Sequence, residues 1–253
     1  MLLVLFVFCM MFGSSVMAAG LDRGMVTFTF DDGLGSLVTA AGIMDKYNLS
    51  GTAFIITGRI GDAENVSWDQ IRDLHWKGWE VGNHTVDHTD LTTMTRDEAV
   101  DKITGARGDF VANGITDVSS FASPFGAYDA TVIDILQKIG YTANRQAYVG
   151  DNWDNPFNSP GDFDQWNIKV ISIRSDTSLT EIKNWLSWAA GDHVWVVFVI
   201  HNVVKTLSGD DYEVSTKTFQ KMIIQVNSMR LKGQLDVVTL KMGTDKMNWL
   251  KGH

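Results

Sequence analysis

Val26-Thr27-Phe28-Thr29-Phe30-Asp31-Asp32-Gly33 is the stretch that decides the reading of this chain: an apolar, β-rich run ends in two adjacent carboxylates and a glycine. Valine, threonine and phenylalanine at this density fit a buried strand. About fifty residues later, His84-Thr85-Val86-Asp87-His88 sets two imidazoles four residues apart, a spacing that on a helical turn points both the same way. One carboxylate and two imidazoles make a facial ligand set for a divalent metal, with positions left open for water and substrate. The second carboxylate then stands beside that water, where a general base is needed. The pattern points to metal-assisted hydrolysis.

Working outward, β-like and helix-like stretches alternate along the chain. Strands are expected over 25–30, 52–57, 79–83, 118–122, 141–144, 168–173, 194–200 and 235–240. Helices are expected over 37–47, 68–77, 95–113, 129–139, 179–190 and 215–232. Thr95-Arg96-Asp97-Glu98 reads as a capping box, and Val194–Ile200 is a continuous β-branched run of the kind buried on both faces. Repeated strand-then-helix units predict an α/β protein, a parallel sheet covered by helices. About seven such units suggest a distorted (β/α) barrel rather than an open sheet. Asp31-Asp32, His84, the Pro124-Phe125-Gly126 turn and His201 each fall just past the C-terminal end of an expected strand, the face of a βα barrel that carries chemistry. No linker or repeat divides residues 20–253, which read as one domain. Gly150–Asp164 is an irregular stretch expected to form a surface loop beside the site.

Residues 1–19 form an apolar run that leads to small residues and reads as a signal peptide with cleavage after Ala18 or Ala19. No Lys or Arg precedes the run, which leaves a retained N-terminal anchor as the alternative. Export is expected in either case. The single cysteine, Cys9, lies in this leader, so a cleaved chain has neither disulfide nor thiolate chemistry. A content of 45% hydrophobic and 20% charged residues is that of an ordinary globular protein. The net charge of −9 disfavours nucleic acid and other polyanions. Nothing in the sequence implies a partner protein.

These residues resemble the signatures of the polysaccharide deacetylases, carbohydrate esterase family four. Thr29–Gly33 matches the first motif and His84–His88 the second; Ser123-Pro124-Phe125-Gly126 is similar to the third, and Phe198-Val199-Ile200-His201 to the last. The resemblance implies a distorted barrel with fewer than eight complete units. It implies Asp32, His84 and His88 as metal ligands, with zinc or another divalent first-row ion as the cofactor. Asp31 matches the general base and His201 the general acid, and the backbone N–H of Phe125 matches the oxyanion donor. The implied substrate is an acetylated glycan, with N-acetylglucosamine units of peptidoglycan, a chitin-like chain or an exopolysaccharide foremost. An O-acetyl esterase on xylan-like glycans and a weakly active carbohydrate-binding descendant are the alternatives.

Each residue also has a bland reading. Paired Asp before Gly is often a turn, an isolated HxxxH is often surface decoration, and a histidine after an apolar strand is often structural. Their joint occurrence at strand ends, in family order, outweighs these readings. His75 and His193 are read as structural, Asp87 as solvated, and Thr85 as bonding locally to set the His84 turn.

Two departures stand out. Where the family often has an arginine two residues before the motif-three proline, this chain has Ala122. Arg145, just past the expected strand over 141–144, is the candidate to reach Asp31 instead. Asp164-Gln165-Trp166 is only a loose match for the Asp and Trp that flank the acid histidine. Pro124, Trp153 and Trp166 are the candidate substrate contacts, the tryptophans through stacking on sugar faces.

Overall fold

A computed structural model describes residues 20–147 and 155–252. The leader with Cys9, and Trp153 in the irregular loop, lie outside the described residues. Among these residues ten strands and seven α-helices follow in order: β1 (Gly24–Phe30), α1 (Ser36–Met44), β2 (Thr52–Ile55), α2 (Trp68–Trp76), β3 (Glu80–Asn83), α3 (Arg96–Ala112), β4 (Ser120–Ala122), α4 (Ala130–Ile139) and β5 (Ala143–Arg145). Then come β6 (Ile171–Ser172), α5 (Leu179–Asp192), β7 (Trp195–Ile200), β8 (Asn202–Val204), β9 (Glu213–Ser215), α6 (Thr216–Leu231), β10 (Leu235–Val237) and α7 (Leu240–Lys251).

Seven strands form a curled parallel sheet in the order β5-β4-β3-β2-β1-β7-β6. The eighth, β10, pairs with β1 on the edge that β1 shares with β2, at Gly24–Val26, below the Thr29–Thr52 and Phe30–Ala53 pairs. The sheet curls into a distorted barrel with the helices around it. Its open side is bridged by one segment with divided pairing: Ile168 bridges to Arg145 of β5, and Ile171–Ser172 pair with Phe198–Val199 of β7. That division is why only two residues of the expected strand 168–173 lie in β6.

The period of two along each strand decides what enters the barrel. Val26, Phe28 and Phe30 join the core beneath the helices, with Leu37 and Ala40 of α1 and Phe219 and Met222 of α6. Met25 packs in a second core, inside the barrel, with Phe54, Ala122, Ala143, Trp195, Val197 and Val199. Thr27, on the same face as Met25, accepts a hydrogen bond from the Trp195 indole at 3.0 Å. Continuing these rows one step past the strand ends brings Asp31, His84 and His201 into the mouth of the barrel, and Arg145 follows Ala143.

Two elements differ from the sequence reading. The expected last strand stops at Val237, and residues 240–251 are helical. Thr239 caps that helix by accepting from the Met242 amide, and Leu240, Thr244, Met247 and Leu250 bury its inner face under the barrel. The short parallel pair β8–β9 follows His201 and has no counterpart in the expected elements. No helix among the described residues is long and apolar enough to cross a membrane.

Candidate metal centre and active site

Four of the six non-glycine residues with positive φ among those described, Asp32, Thr85, His88 and Phe125, lie at or under the barrel mouth; the other two, Asn48 and His193, cap helix ends. Such conformations each cost about 1 kcal/mol or more and persist only where their surroundings impose them. Their concentration marks the mouth as the strained part of the fold.

The histidine pair is not on a helix, contrary to the sequence reading. Thr85 (φ 67) and His88 (φ 62) are left-handed, and the segment after β3 is an irregular loop. Asn83 Oδ1 accepts from the Thr85 amide at 2.7 Å, and Thr85 Oγ1 accepts from the His88 amide at 2.9 Å. The amides of Thr57 and Gly58 donate to the Thr85 and Val86 carbonyls. A Cβ at Gly58 would lie 2.5 Å from the Val86 oxygen, so only glycine permits that approach. Buried side-chain and backbone donors therefore override the helical spacing. Asp87, read as solvated, is paired with Lys102 at the surface.

The loop brings the two imidazoles together, with ring centroids 4.6 Å apart. His84 Nε2 lies 3.6 Å and His88 Nε2 3.7 Å from the same oxygen, Asp32 Oδ1. That oxygen is buried and has no hydrogen-bond partner among the described residues. The three ligand atoms lie within 4.8 Å of one another. Two ligands ~2.1 Å from a shared ion at a tetrahedral angle stand ~3.4 Å apart, so the set fits one small divalent cation. His84 Nδ1 lies 2.7 Å from the Ala122 carbonyl, which can only accept. The proton is thus on Nδ1 and the Nε2 lone pair faces Asp32, as a metal-binding histidine requires. Burial pushes the His84 imidazole down to about 4, which keeps it neutral, and burial lowers His88 as well.

Asp31 stands beside this set, nearly fully buried. Its Oδ1 accepts from Arg145 Nη2 at 2.6 Å, and its Oδ2 lies 3.9 Å from both His84 Nε2 and His201 Nε2. Burial pushes the Asp31 carboxyl up, but the Arg145 guanidinium, through its charge and its hydrogen bond, outweighs it and holds the group below the ordinary carboxylate value. Arg145 is fully buried, and its guanidinium lies 4.8 Å above the Phe54 ring. It is the register partner of Ala122 across the β4–β5 ladder. The guanidinium thus approaches Asp31 from the strand next to Ala122, whose methyl leaves it room. Above these groups opens a cavity of about 460 Å³, lined by Asp31, Asp32, His84, His88, Phe125 and His201.

Against known proteins, a family model described as polysaccharide deacetylase matches residues 19–144, which carry Asp31, Asp32, His84, His88 and Phe125. The chain belongs to the polysaccharide deacetylase family. It is similar to the chitooligosaccharide deacetylase of Azorhizobium caulinodans, 26% identical over 140 residues that cover 53% of this chain and 64% of the relative. Peptidoglycan deacetylase PdaC of Bacillus subtilis shares its fold with a TM-score of 0.60 at 16% identity, over 91% of this chain and 94% of that one. So does a family 4 acetyl xylan esterase from Clostridium thermocellum in complex with a cobalt ion, TM-score 0.56 at 18% identity, over 90% and 92%. The chain spans less than two thirds of the length of the curated relatives it matches.

The remaining candidates of this polysaccharide deacetylase family member fall in different places. Phe125 is more than half exposed at the cavity rim, with its ring edge-on to His88 at 4.5 Å. Pro124 is buried beneath it as the first residue of a 3-10 turn and does not line the cavity. Trp166 packs against the helix-side core, gives its carbonyl to Asn144 Nδ2, and does not line the cavity. Asp164 caps the Trp166 turn. His75 faces Asp117 at 3.5 Å, and His193 caps α5 in a left-handed conformation with Nδ1 3.0 Å from the Leu21 carbonyl. The motif reading does not reach Asn83, which holds the histidine loop, or Arg174, Asp210 and Tyr212, which line the far cavity wall. Asn83 has a signal, a buried-strand asparagine directly before the histidine; the far wall has none.

Proposed function

We propose that this chain is a metal-dependent hydrolase that removes acetyl groups from a glycan, foremost the N-acetyl groups of N-acetylglucosamine units. One observation carries the reading: three ligand atoms lie within 4.8 Å of one another, and the Asp31 carboxylate and His201 imidazole, 3.9 Å apart, line the same cavity. Asp32, His84 and His88 would hold the ion, and we propose zinc. When bound, such a cation acidifies its water and polarises the acetyl carbonyl.

The other steps belong to the chain's own side chains. Asp31, kept ionised by Arg145, takes the proton of the attacking water. The Phe125 amide, offered at the rim by the left-handed turn after Pro124, donates to the developing oxyanion. His201 gives its proton to the departing amine. Export is part of the proposal, since the acetylated polymers in question lie outside the cell, and residues 1–19 have the pattern that directs it.

Acetate release from N-acetylated chitooligosaccharides and from acetylated xylan, with and without chelator, is the test. The expected result is release from the N-acetylated substrate that stops with chelator and returns with added Zn²⁺. Release that ignores chelator would sink the metal reading; release from xylan alone would transfer the activity to O-acetyl esters.

A further inference from the structure

His201 is placed at the end of β7, yet little in the barrel fixes its ring. Its Nε2 lies 3.9 Å from Asp31, beyond a hydrogen bond, and its buried Nδ1 has no hydrogen-bond partner among the described residues. A histidine that transfers protons ordinarily has its second nitrogen held by a carboxylate or carbonyl. Here an aromatic ring lies against it instead: Tyr212, with centroids 4.8 Å apart and ring planes at 57°.

Tyr212 is itself held. The parallel pair β8–β9 is in register Asn202↔Glu213, so His201 and Tyr212 stand one step ahead of the first pair. The Asn202 amide donates to the Tyr212 carbonyl at 3.2 Å, and the Tyr212 amide to Asp210 Oδ1 at 2.8 Å. The guanidinium of Arg174 lies 5.0 Å from the ring centroid and is anchored to Asp211 at 3.1 Å. Tyr212, Arg174 and Asp210 all line the cavity. We propose that Tyr212, steadied by Arg174, is a positioning residue for His201: its ring holds the imidazole, whose Nδ1 has no partner among the described residues, with Nε2 toward the scissile bond. This role rests on the hydrolase reading above. As the C–N bond breaks, its electron pair goes to nitrogen and the Nε2 proton joins that pair, a transfer that fails if the ring swings away.

Two substrates separate positioning from other roles, because an amine must be protonated as it leaves whereas an aryl oxide departs unaided. Acetate release by the full chain is measured on an N-acetylated chitooligosaccharide and on 4-nitrophenyl acetate. For Tyr212→Ala the expected result is a fall in kcat on the amide of about 10- to 100-fold with KM nearly unchanged, and an aryl ester rate within about threefold of the parent. Tyr212→Phe should match the parent on both, and Arg174→Gln should lose part of the amide rate only. Equal loss on both substrates would make Tyr212 structural, and a rise in KM alone would make it a sugar contact. A Tyr212→Phe loss as large as the alanine loss would assign the effect to the hydroxyl. Any of these overturns the inference. Release from neither substrate by the parent chain would instead bring down the hydrolase reading, and this one with it.

Discussion

Two carboxyl groups lie at opposite ends of one barrel, Asp31 buried and Glu80 half-buried, and they are held in opposite ways. Asp31, at the mouth, faces a fully buried guanidinium and two imidazoles, and its carboxyl is held below its ordinary value despite burial. Glu80, at the start of β3 on the closed end, accepts from uncharged donors, among them Thr52 Oγ1 at 2.9 Å and the Lys241 amide of α7 at 2.8 Å. Burial pushes Glu80 up. The closed end shows what a carboxyl does when it merely ties a helix to a strand: it tends toward the neutral form. At the mouth the Asp31 carboxyl keeps its charge through a dedicated cation, the fully buried Arg145 guanidinium, beside the proposed metal ligands.

Asp31→Asn gives the sharpest break in this comparison. Asparagine keeps the shape but leaves the buried Arg145 guanidinium without its anionic partner, so the fold should be weakened, while acetate release falls by about 10³-fold or more. Full activity with asparagine would reduce Asp31 to a structural acid like Glu80. Arg145→Ala comes next. It leaves the Asp31 charge buried without its main partner, which costs about 3–5 kcal/mol in denaturant melts. The sign follows from the lowered carboxyl: the Asp31–Arg145 contribution is present above the unfolded-state pKa and is lost as pH falls through the folded one. Without Arg145 that loss, and the acid limb of the rate profile, should both move to higher pH. Unchanged turnover in Arg145→Ala alongside a dead Asp31→Ala would remove Arg145 from the mechanism.

Gly58→Ala tests the loop rather than the charges. The added methyl meets the Val86 carbonyl, so His84 and His88 shift, and kcat/KM should fall about tenfold, recovered in part at higher Zn²⁺. Glu80→Gln should do least. A carboxyl with a raised folded pKa weakens the fold as pH rises from its unfolded value through its folded one. Glutamine should therefore leave activity intact and change stability by about 1 kcal/mol or less, with any gain confined to high pH. Loss of activity there would show that the two ends are coupled.

Much of the mouth is legible in the residues themselves. Asp31 and His201 lie on the inward rows of β1 and β7, whose long apolar runs make both the strands and their ends visible. Arg145 is legible only through the family departure at Ala122; the register that pairs the two across β4 and β5 is seen in the structure alone. The histidine loop shows the limit. Its four-residue spacing suits a helix, and what bends it otherwise is a set of bonds from Asn83, Thr57 and Gly58 that no local pattern encodes. Helix α7 has readable spacing at Leu240, Thr244, Met247 and Leu250, but the β-rich run before it hides where the strand stops. Tyr212 was out of reach, because its meeting with His201 depends on the pairing of two three-residue strands with an exposed turn between them.

The placement of β10 beneath β2, on the same side of β1, has a consequence for how the molecule comes into being. Gly24 and Leu235 are neighbours in space but more than two hundred residues apart along the polypeptide. A ribosome must therefore deliver the intervening chain, up to β10 itself, before the lower edge of β1 is satisfied. Until then residues 24–26 present unpaired amides and carbonyls to whatever waits nearby, and a chaperone or a neighbouring nascent chain would meet that edge first.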